Sequence, residues 1–211
     1  MNSMYSQDWA NLGRYQAANE KLGKPAKDEK RIVLMGNSIT EGWKQADPDL
    51  FASTGLINRG IGGQTSPQML MRFQADVIDL EPEMVLILAG TNDVAGNTGP
   101  IGLDEIKDNI VKMAELADKN DVKVIICSVL PAFDFPWSPG KEPHVKIPQL
   151  NAMLKAYADE NDILYLDYFS AMTNDVNGLP KEYALDGVHP TKAGYDVMKK
   201  MMLKTVNSAL K

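Results

Sequence analysis

The stretch "RIVLMGNSITEG", residues 31–42, decides how the rest of the chain is read. Four apolar residues, Ile32 to Met35, run without alternation into Gly36-Asn37-Ser38. A strand with one wet face alternates apolar and polar residues. A continuous run suits a strand covered on both faces, as in a parallel sheet between helix layers. "ITEGW" follows directly and starts like a helix. Ser38 at that junction has two readings. It caps the helix by accepting backbone N–H bonds, or it is a nucleophile. The stretch alone favours the cap. A nucleophile needs a base, an orienting acid and oxyanion donors from elsewhere in the chain.

Four further apolar runs match the first: "GLIN" (55–58), "MVLILA" (84–89), "VKVIICSV" (122–129) and "ILYLD" (163–167). Between them apolar residues recur every three or four positions. Met69, Phe73, Val77 and Leu80 form one such stripe, and Ile106, Ile110, Met113 and Ala117 another. Ile147, Leu150, Leu154 and Tyr157 form a third, and Met198, Met201, Met202 and Val206 a fourth. Methionines at this spacing read as core filler. Strand and helix alternate throughout, which predicts one α/β domain over 1–211. Its expected form is a three-layer α/β/α sandwich around a parallel five-stranded sheet. Residues 1–28 read as an N-terminal helical extension, weakly amphipathic from Trp9 to Leu22.

Composition narrows the function. Hydrophobic residues make up 44% of the 211, enough for a core without disulfides. The net charge of −6 argues against nucleic acid as a partner, because phosphate binding needs clustered Lys and Arg. The single cysteine, Cys127, lies in an apolar run and reads as a buried small hydrophobe. No apolar stretch is long enough to span a membrane. The first residues lack a basic start and apolar core, so the sequence points to the cytoplasm. Export of a chain whose leader has been removed is the alternative.

In open parallel sheets ligands bind beyond the carboxyl ends of the strands, so the residues after each strand carry the functional reading. After the second strand comes "NRGIGGQTS", 58–66, whose glycines let backbone approach a ligand. Its spacing fits neither a dinucleotide fingerprint nor a P-loop. It is a tight turn, or a source of a backbone N–H for an oxyanion. After the third comes "GTND", 90–93, where Asn92 is either a turn residue or a side-chain donor to a developing oxyanion. That second role requires the first and third strands to be neighbours. After the fourth comes a loop with five prolines, read as 130–148, carrying Phe133, Phe135 and Trp137. These aromatics either cover a core edge or wall a substrate pocket. After the fifth comes "LDGVHP", 185–190, with Asp186 three residues before His189. The chain has two histidines, and His144 has no comparable carboxylate partner. An Asp that accepts Nδ1–H leaves Nε2 facing a serine.

Taken together and in order, "GNSIT", "GIGGQTS", "GTND" and "DGVHP" resemble the four blocks of the SGNH hydrolases, also called GDSL-type esterases and lipases. The resemblance runs from about residue 31 to 200, and each block is short. It implies a flavodoxin-like fold and a serine esterase working through an acyl-enzyme. Ser38 would attack, His189 would act as base and Asp186 would orient it. Backbone N–H groups of Ser38 and Gly63, with the Asn92 side chain, would hold the oxyanion. No metal and no organic cofactor is implied. The partner expected is a small-molecule or glycan ester. The blocks look most like members related to platelet-activating-factor acetylhydrolase and to carbohydrate O-deacetylases, implying short acyl, chiefly acetyl, esters of a carbohydrate or of a lipid-like alcohol. One position departs: the first block usually reads Gly-Asp-Ser and here has Asn37. Two other readings stand beside the esterase. One is a catalytically silent module that binds an acylated ligand or glycan. The other is a phosphate or nucleotide binder of the same fold class, which leaves Asp186 and His189 without a role.

Overall fold

The computed structural model describes residues 8–210. Five strands form one parallel sheet: β1 Ile32–Gly36, β2 Leu56–Gly60, β3 Met84–Leu88, β4 Lys123–Cys127 and β5 Leu164–Leu166. The helices, in chain order, are α1 Gly13–Leu22, α2 Ser38–Ala46, α3 Pro48–Ser53, α4 Ser66–Asp76 and α5 Thr91–Ala95. They continue with α6 Leu103–Asp118, α7 Pro143–Glu160, α8 Tyr168–Met172 and α9 Lys192–Ala209. The strand order is β2-β1-β3-β4-β5, the flavodoxin-like arrangement.

The unbroken apolar runs have the expected cause. Val33, Met35, Val85, Ile87 and Ile126 point to one face, where α4, α6 and α7 bury Met69, Phe73, Ile106, Ile110, Ile147 and Leu150. Their chain neighbours Ile32, Leu34, Met84, Leu86 and Ile125 point to the other. There α2, α8 and α9 supply Ile39, Trp43, Tyr168, Met198 and Met202. Cys127 is buried in this second layer, and burial pushes its thiol pKa up, away from reactivity. No helix among the described residues is long and apolar enough to cross a membrane.

Three local readings are corrected. The proline-rich loop ends at Glu142, because Pro143 opens α7 and Pro148 lies inside that helix. A proline there cannot donate to the carbonyl four residues back. That carbonyl, of His144, instead accepts from Asn177 Nδ2 at 3.0 Å. "GTND" is the first turn of the short helix α5 rather than a plain turn. Of the extension read as 1–28, residues 1–7 lie outside the described residues; the helix described starts at Gly13 and buries no residue of its own, and Trp9 and Leu12 stay exposed. It is held by polar contacts, not by an apolar stripe.

Candidate active site

Pairing places the ends of the first three strands level. Gly36 is paired with Gly60 on one side and Leu88 on the other. The chain leaves β1 and β3 in opposite directions across the sheet, which opens a crevice at their carboxyl ends. Ser38 follows β1, Gly62-Gly63 follows β2 and Asn92 follows β3, so all three emerge side by side. Gly60 is required for this approach: a Cβ there would lie 2.2 Å from Glu41 N.

The helix cap is Asn37, not Ser38. Asn37 Oδ1 accepts from Ile39 N at 3.0 Å and caps α2. Ser38 is therefore the first residue of the helix proper, with its hydroxyl free for another partner. Its own N–H is one of the donors that an α-helix leaves without an internal acceptor.

Ser38 Oγ lies 3.0 Å from His189 Nε2, and His189 Nδ1 lies 2.7 Å from Asp186 Oδ2. The second carboxylate oxygen, Oδ1, accepts from Val188 N at 2.9 Å and His189 N at 2.8 Å. Burial of Asp186 works toward a higher pKa. Hydrogen bonds from the His189 ring and from the two backbone N–H groups outweigh it, and the net pKa is lowered. An ionised Asp186 only accepts, so Nδ1 carries the proton and Nε2 is left to accept from the Ser38 hydroxyl. The loop carrying both residues is pinched shut by a bridge between Ala184 and Pro190 and turned at Gly187 with φ +80°. His144 lies elsewhere: its Nδ1 contacts Phe133 O at 3.0 Å and its ring stacks on Phe133.

Asn92 is buried and donates Nδ2 to Gln64 O at 2.9 Å, which fixes its amide plane while leaving a second N–H. Gly62 N is taken by Glu41 Oε2 at 2.9 Å. Among the described residues Gly63 N has no acceptor, and Gly63 sits at φ +76°.

The three aromatics separate. Trp137 is 43% exposed, and its ring centre is 6.0 Å from that of His189. Phe135 is 0% exposed and lies beneath Trp137 at 5.1 Å, so it is core and offers no surface to a ligand. Phe133 is exposed and lines a cleft of about 320 Å³ with Asp134, Leu179 and Asp186.

The sequence reading missed several residues that build this edge. Arg72 is fully buried and donates to Gln64 Oε1, Asp76 Oδ2, Gly36 O and Arg59 O, tying β1, β2 and the glycine loop together. Its signal was a charged residue on the apolar face that Met69 and Phe73 define. Asn97 joins Gly63 O, at 3.2 Å, to Trp137 Nε1, at 3.0 Å. Nothing in the local pattern marks it.

Residues 34–197 match the family model of the GDSL-like lipase/acylhydrolase family. The chain belongs to that family. Membership makes it a carboxylic ester hydrolase. Among solved structures, a proposed acylhydrolase of Bacteroides fragilis is 52% identical, superposes with a TM-score of 0.94, and covers 97% of this chain and 100% of its own. The acetylxylan esterase of Geobacillus stearothermophilus is 27% identical over 159 residues, 72% of this chain and 71% of the esterase. An uncharacterized lipoprotein of Bacillus subtilis is 34% identical over 82 residues, spanning 37% of this chain and only 34% of the lipoprotein.

Proposed function

We propose that this GDSL-family enzyme cleaves short acyl esters, acetyl esters of a carbohydrate foremost, by a serine mechanism. The unbroken Ser38–His189–Asp186 hydrogen-bond chain carries the reading. Ser38 Oγ attacks the ester carbonyl as its proton passes to His189 Nε2. The carbonyl oxygen becomes an oxyanion held by Ser38 N–H, Gly63 N–H and Asn92 Nδ2. On collapse the alcohol leaves with the proton from His189, and Ser38 remains acylated. Water then attacks the acyl-enzyme with His189 again as base, releasing the carboxylic acid and restoring Ser38. Asp186 holds the imidazole tautomer and stabilises the imidazolium.

Two observations support the carbohydrate side. Trp137 presents a half-exposed ring beside His189, a surface suited to the C–H face of a sugar. The acetylxylan esterase relative acts, by its name, on an acetylated glycan.

Hydrolysis of p-nitrophenyl acetate by wild type and by Ser38→Ala tests the mechanism. Ser38→Ala should fold normally and lose turnover, and equal activity would sink it. Labelling of Ser38 by a fluorophosphonate separates the enzyme from a silent binding module, which would bind an acylated glycan without reacting. A series of p-nitrophenyl esters of rising chain length, then acetylated xylo-oligosaccharides, tests the substrate. Preference for long chains would overturn the short-acyl reading. Trp137→Ala should raise KM for the oligosaccharide and leave p-nitrophenyl acetate little changed.

A further inference from the structure

The proposed oxyanion donor Gly63 N–H sits on a consecutive glycine pair, the backbone with the most freedom to lose. Among the described residues packing does not restrain it: none lies within 4 Å of where a Gly63 side chain would start. The loop must therefore be held by hydrogen bonds at its edges. Much of that restraint comes from the segment before β1, which lies outside the family-matched residues 34–197.

Tyr15 OH donates to Gly60 O, and Gln64 Nε2 donates to Ala10 O at 2.7 Å. Asn19 Oδ1 accepts from Arg59 Nε at 2.9 Å, at the end of β2. Asn97 holds the Gly63 carbonyl from the other side. Of the contacts from the N-terminal segment, the one nearest Gly63 is a relay. Arg14 Nη2 donates to Glu41 Oε1 at 3.0 Å, and Glu41 Oε2 accepts Gly62 N–H at 2.9 Å. Glu41 stands one helical turn after Ser38 on α2, and a side chain grown from Gly62 would lie 3.7 Å from Ser38 Cβ. One carboxylate thus touches the nucleophile's helix, the glycine loop and the N-terminal helix.

We propose that Arg14 and Glu41 are positioning residues for ester hydrolysis. Glu41 holds the Gly62 N–H, and this orients the next peptide so that Gly63 N–H faces the Ser38 adduct. Arg14 fixes the Glu41 carboxylate in the rotamer that does so. The inference rests on the proposed role of Gly63. It assigns the N-terminal helix a part in turnover rather than in folding alone. Arg14 is half-exposed, and an exposed ion pair contributes little to stability, so the two effects are separable.

The test uses the full chain with p-nitrophenyl acetate. Misplacing a donor costs less than deleting it, so Arg14→Gln should lower kcat about 10-fold and keep KM within about twofold. Its melting temperature should stay within about 2 °C of wild type. Arg14→Lys, which keeps the charge, should recover most of the loss. Glu41→Ala should lower kcat further than Arg14→Gln. Active sites are counted by fluorophosphonate titration, so turnover is read per folded site even where a variant folds poorly. Unchanged kcat per site in both Arg14→Gln and Glu41→Ala would overturn the inference. So would a loss explained wholly by fewer active sites. Failure of the esterase reading looks different: wild type itself would then show no Ser38-dependent turnover.

Discussion

Ser38 Oγ lies 3.0 Å from His189 Nε2, although 151 residues separate them along the chain. A second link holds the pair in register. Tyr195, on the helix that follows His189, donates its hydroxyl to the carbonyl of Ile39 at 2.8 Å, and Ile39 follows Ser38. Tyr195 also stacks on Trp43 of α2 at 5.6 Å. The first turn of α9 is thereby anchored to the helix that carries Ser38, so the His189 loop enters the site from a fixed direction.

Asp186→Asn should lower kcat on the order of 1,000 to 10,000-fold with little effect on KM. An asparagine amide can donate to Nδ1, which moves the ring proton to Nε2 and leaves nothing to accept the Ser38 proton. Kinetics on p-nitrophenyl acetate check this. His144→Ala should retain most activity in the same assay, because His144 is paired with Phe133. The lowered pKa of Asp186 means its contribution to stability is present above its ordinary value of 3.8 and is lost as pH falls through the lowered value.

Asn92→Ala should cost on the order of 100 to 1,000-fold in kcat, the usual loss for one oxyanion donor. It also frees Gln64 O from its buried partner. Thermal melting beside the kinetics separates the two effects. A fall in kcat without a matching loss of active sites supports the donor role.

Asn37→Asp restores the family's usual residue and should leave activity within about threefold. Either side chain presents an oxygen to Ile39 N, and that cap is what the structure shows Asn37 doing. Asn37→Ala removes the cap and should cost about 1 kcal/mol. For a chain of this size that lowers the melting temperature by about 2–4 °C.

Asp93 gives a pH-dependent prediction of opposite sign to Asp186. Its Oδ1 accepts from Ser66 N and Oγ, while Oδ2 is buried with no partner among the described residues, and burial raises its pKa. A raised carboxyl pKa favours the protonated fold. The stability it contributes is present below 3.8 and is lost as pH rises through the raised value. Asp93→Asn, uncharged at every pH, should therefore match wild type near pH 4 and melt higher than wild type at neutral pH. A gap that closes with rising pH would refute this account.

The sequence alone determined the layers of this protein and named the candidate residues at its edge. Continuous apolar strands alternating with helical stripes have one economical solution, a parallel sheet covered on both faces. Residue type told that Ser38, Asp186 and His189 can pass or hold a proton and that Asn92 can donate a hydrogen bond, and local spacing put Asp186 beside His189. The tertiary structure decided what local pattern cannot encode. It made Asn37 the cap and freed Ser38, because a cap is settled by backbone angles as well as by residue type. It buried Phe135 and exposed Trp137, two residues away in the same loop, because burial depends on what packs above. It also brought Arg14, Glu41 and Gly62 together from three segments. Contacts among distant polar groups leave no periodic trace. They follow only once the strands have set the order in which the loops meet.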